Sequence, residues 1–75
     1  MIYFEKDLSA YKRNGYKYTH VAIAFDKFMR PNDYEVGYKR TLENKRYNGE
    51  LGHGHVEILT FRQAAAQYPE NFSYE

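Results

Sequence analysis

Only ten of the 75 residues are Val, Ile or Leu, against nine Tyr and five Phe. Burial of apolar surface drives folding, so a chain this poor in aliphatics must place part of its Phe and Tyr inside. The length allows one domain, residues 1–75, with one small core. Domains below about 70–80 residues gain only roughly 3–5 kcal/mol from such a core, so a partner or a homodimer would matter to this chain. Near-zero net charge, +1, and abundant Tyr separate it from disordered sequences, which pair low hydrophobicity with strong charge.

Several classes fall away. With no cysteine there is no disulfide framework, thiolate metal site or thiol nucleophile. The longest apolar run, Val21 to Phe25, is far short of the roughly 18 residues of a membrane span. The first residues show neither the basic nor the long apolar region of a secretory signal. The expectation is an intracellular, cytoplasmic protein with no membrane partner.

Asn-Gly occurs twice, at Asn14-Gly15 and Asn48-Gly49. It is a strong hairpin signal, because a type I′ turn needs positive φ at both central residues. Residues 34–43 alternate, with Tyr34, Val36, Tyr38, Arg40 and Leu42 on one face of a strand. Turning at Asn48-Gly49 would set Val36 opposite Phe61, Tyr38 opposite Leu59 and Arg40 opposite Glu57. Residues 19–25 form a second strand, with Val21, Ile23 and Phe25 on one face and Ala22 and Ala24 on the other.

Residues 7–13 read in two ways. They pair as a hairpin strand with residues 19–25, or they form a short helix from an Asp7 N-cap to a left-handed Gly15. Ala10-Tyr11-Lys12-Arg13 has little β character, which favours the helix, while Ile2, Tyr3 and Phe4 suit a strand. At the other end Thr60 and Gln63 spell a capping box, and Pro69 stops the helix near Tyr68. The expected fold is α+β: a small antiparallel sheet of three or four strands with a C-terminal helix at about 61–68.

Ser9 and Ser73 sit in no nucleophile motif, and no carboxylate pair has acid–base spacing, so no enzymatic activity is expected. His20, His53 and His55 are the sole metal-like residues; without Cys or a nearby Asp they are weak candidates, and no cofactor is expected. The sharper signal is cations interleaved with rings: Tyr11-Lys12-Arg13, Tyr16-Lys17-Tyr18, Tyr38-Lys39-Arg40 and Lys45-Arg46-Tyr47. Charge is segregated as well. Residues 1–46 hold ten Lys/Arg and six Asp/Glu, and the remainder one and four.

Tyr34, Tyr38 and Tyr68 read as core or core-edge residues. Tyr11, Lys12, Arg13, Tyr16, Lys17, Tyr18, Lys45, Arg46 and Tyr47 read as a partner-binding surface, since Tyr and Arg are hot-spot residues. The expected function is a non-enzymatic binding protein, an inhibitor or regulator of the size common among phage and mobile-element accessory proteins. It would block a protein or nucleoprotein partner sterically. The alternative is direct binding of single-stranded nucleic acid by the same surface.

Overall fold

The run Val21-Ala22-Ile23-Ala24-Phe25 is the most continuous apolar stretch of the chain, and it becomes the centre of the fold. The computed structural model describes residues 4–52 and 54–75. The elements are β1 (Lys6–Asp7), α1 (Ser9–Arg13), β2 (His20–Phe25), β3 (Pro31–Gly37), α2 (Lys39–Tyr47), β4 (Val56–Thr60), α3 (Phe61–Gln67) and β5 (Phe72–Ser73). Strands β3, β2 and β4 form an antiparallel sheet in that order. With the three helices this is the expected α+β class.

Register places Val21 between Val36 and Leu59, and Ile23 between Tyr34 and Glu57. This face packs on Leu8, Phe61, Ala64 and Phe72 from α1, α3 and the terminal strands. The opposite face is thinner: Ala22, Leu42 and Val56 are buried, and Ala24, Leu51 and Ile58 only partly so. Strand β2 is thus buried on both sides, and its alternate Ala residues let α2 approach.

Aromatic rings fill the space that aliphatics would otherwise occupy. Phe4, Tyr34 and Phe72 form a mutual cluster with centroids 4.9–5.7 Å apart, and Tyr68 meets Phe25 edge-on at 5.4 Å. Such pairs contribute about 0.5–1.5 kcal/mol each beyond burial. The two ends of the described chain are tied together. β1 and β5 pair in parallel, Lys6 N–H donates to Asn71 C=O at 2.7 Å, and the Ser9 hydroxyl accepts from Glu75 N–H at 2.6 Å. Ile2 and Tyr3 of the expected N-terminal strand lie outside the described residues.

The hairpin expected at Asn48-Gly49 does not form. The strand ends at Gly37, and residues 39–47 are helix. β3 pairs with β2, Val36 lying opposite Val21 and not Phe61. β3 and β4 lie on either side of β2, both antiparallel to it, and are therefore parallel to each other. A two-residue turn cannot join parallel strands; a crossover is required, and α2 supplies it. Lys39 through Arg46 is rich in good helix formers, and Lys39 pairs with Glu43 one turn on. Gly37 lies at the corner, packed against Leu42: a Cβ there would meet the Leu42 side chain at 3.4 Å. Tyr38, expected at the core edge, stands at the N-cap position of α2 instead and is 49 % exposed.

Both Asn-Gly dipeptides end helices, and they do so identically. Asn14 and Asn48 are C-caps, and Gly15 (φ +83°) and Gly49 (φ +76°) follow in the left-handed region. Tyr16 N–H donates to Tyr11 C=O and Gly15 N–H to Lys12 C=O; Glu50 N–H donates to Lys45 C=O and Gly49 N–H to Arg46 C=O. These are two Schellman motifs. The first settles residues 7–13 as helical at 9–13, with Leu8 at the N-cap position and Asp7 Oδ1 accepting from Ser9 N–H. The C-terminal helix forms as expected, with the Thr60–Gln63 capping box complete at 3.0 and 3.1 Å.

Gly15→Ala and Gly49→Ala are each expected to destabilise the fold by about 1–2 kcal/mol, the cost of a Cβ in left-handed backbone. Leu8→Ala, at a fully buried position, should cost about 2–5 kcal/mol. Urea midpoints measure all three. An unchanged midpoint for either glycine variant would refute the C-cap assignment at that site.

Candidate interaction surface

After α1 the chain passes through residues 16–19, outside any helix or strand, before entering β2. This segment brings Tyr16 and Tyr18 together. Their rings stack at 5.4 Å with 10° between planes. Tyr11, on α1, meets both edge-on at 6.1 Å and leans on Phe61 at 6.0 Å. Tyr38 extends the array past Tyr18 at 5.7 Å, and Tyr74 extends it past Phe61 at 5.8 Å. The result is a continuous aromatic ladder from the start of α2 to the C-terminal segment. Its inner rings, Tyr11 and Tyr18, pack on the core, while Tyr16 (54 % exposed) and Tyr38 project outward.

Lys12, Lys17, Arg40 and Arg62 each lie within two residues of a ladder ring, are exposed and make no ion pair among the described residues. Arg13 is held by Asp7 at 2.7 Å, and Lys6 Nζ lies 5.0 Å above the Tyr11 ring. The Arg13 guanidinium holds the Asp7 carboxyl below the usual range, so its charge persists to lower pH. A shallow groove of about 370 Å³ runs beside the ladder between Tyr18, Arg62 and Tyr74.

The remaining expected residues lie elsewhere. Lys45, Arg46 and Tyr47 form the last turn of α2, which packs on the opposite face of the sheet from α1. Lys45 is committed to Glu35 at 2.6 Å, a hydrogen bond that raises its pKa. Tyr47 is 91 % exposed and lines a separate groove with Arg46 and Ile58. The nine residues therefore divide into a six-residue group around the ladder and a three-residue group behind it. Arg62 and Tyr74 join the first group only through the tertiary fold, and no local pattern marks them. Tyr38 carries a signal in Tyr38-Lys39-Arg40, masked by the strand alternation.

The histidines are separated. His20 begins the β2–β4 ladder opposite Thr60, with its Nδ1 2.7 Å from Thr19 Oγ1. His55 precedes Val56 at the other end and bonds Glu57 at 2.9 Å. His53 lies outside the described residues. No three potential ligands group together among the described residues. None of the described helices is long and apolar enough to cross a membrane.

Comparison with protein-family models, curated proteins and solved structures finds no significant match. The surface must be read from its own chemistry.

Burial raises the pKa of Tyr34. Burial, aided by the hydrogen bond its hydroxyl donates to Glu57 at 2.9 Å, pushes Tyr68 to about 12. The folded state holds the Tyr68 proton more tightly than the unfolded chain does. The resulting stability is complete below pH 10, the ordinary tyrosine value, and is lost as pH rises towards about 12. In an alkaline absorbance titration Tyr68→Phe should remove a tyrosinate that appears near pH 12. Loss instead of one that appears near pH 10 would contradict this environment.

Proposed function

We propose that this chain is a non-enzymatic binding protein, a small inhibitor or regulator that docks its Tyr/Lys/Arg surface on a protein or nucleoprotein partner and blocks it sterically. The observation that carries the reading is the Tyr16–Tyr18 stack: an aromatic pair held in place from behind by Tyr11, with Tyr16 presented to solvent. Exposed rings already fixed by their neighbours lose little conformational freedom on contact, which is why Tyr anchors interfaces effectively. The surrounding cations favour an acidic partner surface and speed encounter with it.

A second reading rests on the near-parallel stack and its cations. A base can continue a ring stack at about 1–3 kcal/mol, while Lys12, Lys17, Arg40 and Arg62 follow phosphates. Engaging all four cations would give a salt slope near −3 for a single strand, or roughly fifty-fold weaker binding between about 50 and 200 mM salt.

One pair of measurements tests and separates these readings. Tyr16→Ala/Tyr18→Ala should reduce recovery of bound partners at least ten-fold relative to wild type at matched stability. Equal recovery of every partner would exclude this surface as the docking site. Anisotropy with a single-stranded oligonucleotide, showing that salt dependence and the same loss in the double variant, would establish the nucleic-acid reading. Absence of binding at about 50 mM salt would leave the protein partner.

A further inference from the structure

The β2–β3 connection, Asp26 to Arg30, presents two large apolar side chains to solvent at the opposite end of β2 from the ladder. Phe28 is 65 % exposed and Met29 57 %. The turn that carries them is firmly built. Asp26 Oδ1 accepts from Phe28 N–H at 2.8 Å and Arg30 N–H at 2.9 Å, and Asp26 Oδ2 lies 3.5 Å from Arg30 Nε. Backbone bonds join Asp26 N–H to Arg30 C=O and Met29 N–H to Asp26 C=O. Met29 sits at φ +61°, a conformation that disfavours a side chain and persists only where its surroundings enforce it. Lys27 Nζ and the Arg30 guanidinium lie 5.2 and 5.1 Å from the Phe28 ring centre. The tip is thus a preorganised apolar wedge with a cationic collar.

At the base of this hairpin lies a groove of about 460 Å³. Its apolar lining comes from the thinner sheet face, where Ala24 and Leu51 are partly exposed above the buried Ala22 and Val56. Its walls carry Asp33, Glu35 and Glu50. Glu35 is paired with Lys45, but Asp33 and Glu50 have no ion pair among the described residues. The volume is in the range that encloses drug-sized groups, sufficient for two side chains. The groove is apolar below and acidic at the rim; the tip is apolar at its end and cationic at its collar.

We propose that the groove receives the Phe28–Met29 tip of a second copy of this chain, and that two copies exchange tips about a twofold axis. Reciprocity comes from the layout. Phe25 and Asn32, which flank the tip in sequence, line the groove themselves, so tip and groove share one side of the molecule and can both engage the same partner. A twofold interface makes every contact twice against a single loss of translational and rotational freedom. One wedge inserted alone lacks that advantage. Lys27 of each copy reaches the Asp33/Glu50 rim of the other, which sets the orientation of the pair.

Sedimentation equilibrium on the full chain tests the proposal. Wild type should pass from one-chain to two-chain mass over a concentration series extending to about 1 mM. Phe28→Ser should weaken dimerisation at least ten-fold with an unchanged far-UV spectrum, since the exposed ring does not contribute to the core. Asp33→Lys should weaken it, and Asp33→Lys combined with Lys27→Asp should recover most of the loss. Mixed labelled and unlabelled chains should show intermolecular contacts from the Phe28 ring to the Ala24 and Leu51 methyl groups. Tyr16→Ala/Tyr18→Ala should dimerise like wild type, which keeps this test independent of the ladder. A wild type that stays monomeric throughout overturns the proposal. So does a dimer that Phe28→Ser leaves intact.

Discussion

The fold depends on one strand being buried on both faces. Val21, Ile23 and Phe25 supply the apolar side of β2 that most of the chain packs against, while Ala22 and Ala24 keep the other side low enough for a helix to cross. In a chain with ten Val, Ile and Leu residues, placing five adjacent apolar positions on one strand determines most of the remaining topology. Both other strands of the sheet must pair with β2, the connection from β3 to β4 must pass over it, and α2 must cover that crossing. The aromatic residues then close the periphery. Phe4, Tyr34 and Phe72 seal one corner, and Phe25 with Tyr68 another.

How much of this is legible in the sequence can be judged at the two Asn-Gly sites. The dipeptide reports positive φ at the glycine, and both glycines adopt it. It does not report whether a strand or a helix precedes it, since type I′ turns and Schellman caps need the same freedom. Before Asn14 the residues themselves favour helix, and helix forms. Before Asn48 the alternation from Tyr34 to Leu42 runs on past Gly37, although Lys39 to Arg46 has good helix propensity. The alternation misleads because Leu42 is buried in either conformation: across a hairpin in one, under the crossover in the other. Choosing between them needs the pairing partner of β3, which is non-local. The capping box at Thr60 and Gln63 is legible because all its partners lie within four residues.

The surface is legible to the same degree and for the same reason. Tyr11, Tyr16 and Tyr18 assemble through a helix cap and the short segment after it, both local, and the group from 11 to 18 comes together. Lys45, Arg46 and Tyr47 resemble it in composition but are carried to the other face by α2. Arg62 reaches the ladder because α3 follows β4 and sets its neighbour Phe61 against Tyr11, and Tyr74 because β1 and β5 pair and return the C-terminal residues to α1. Phe28 and Met29 are unremarkable in sequence. Only their exposure, and the turn that Asp26 builds under them, distinguishes them from core residues.

The two surfaces differ in their effect on the fold. The ladder is continuous with the larger core: Tyr11 and Tyr18 pack inward while their neighbours face out, so contact there leaves the packing as it is. The groove is a deficit, on a sheet face where Ala24, Leu51 and Ile58 are only partly covered. A protein whose core supplies only a few kcal/mol is sensitive to such a deficit, and anything that binds the folded state alone offsets it by mass action. An occupant present at about a hundred times its dissociation constant adds about 2.7 kcal/mol, comparable to the whole contribution of a small core. Binding at the thin face would therefore couple most directly to stability, whereas contact at the ladder would leave the core packing unchanged.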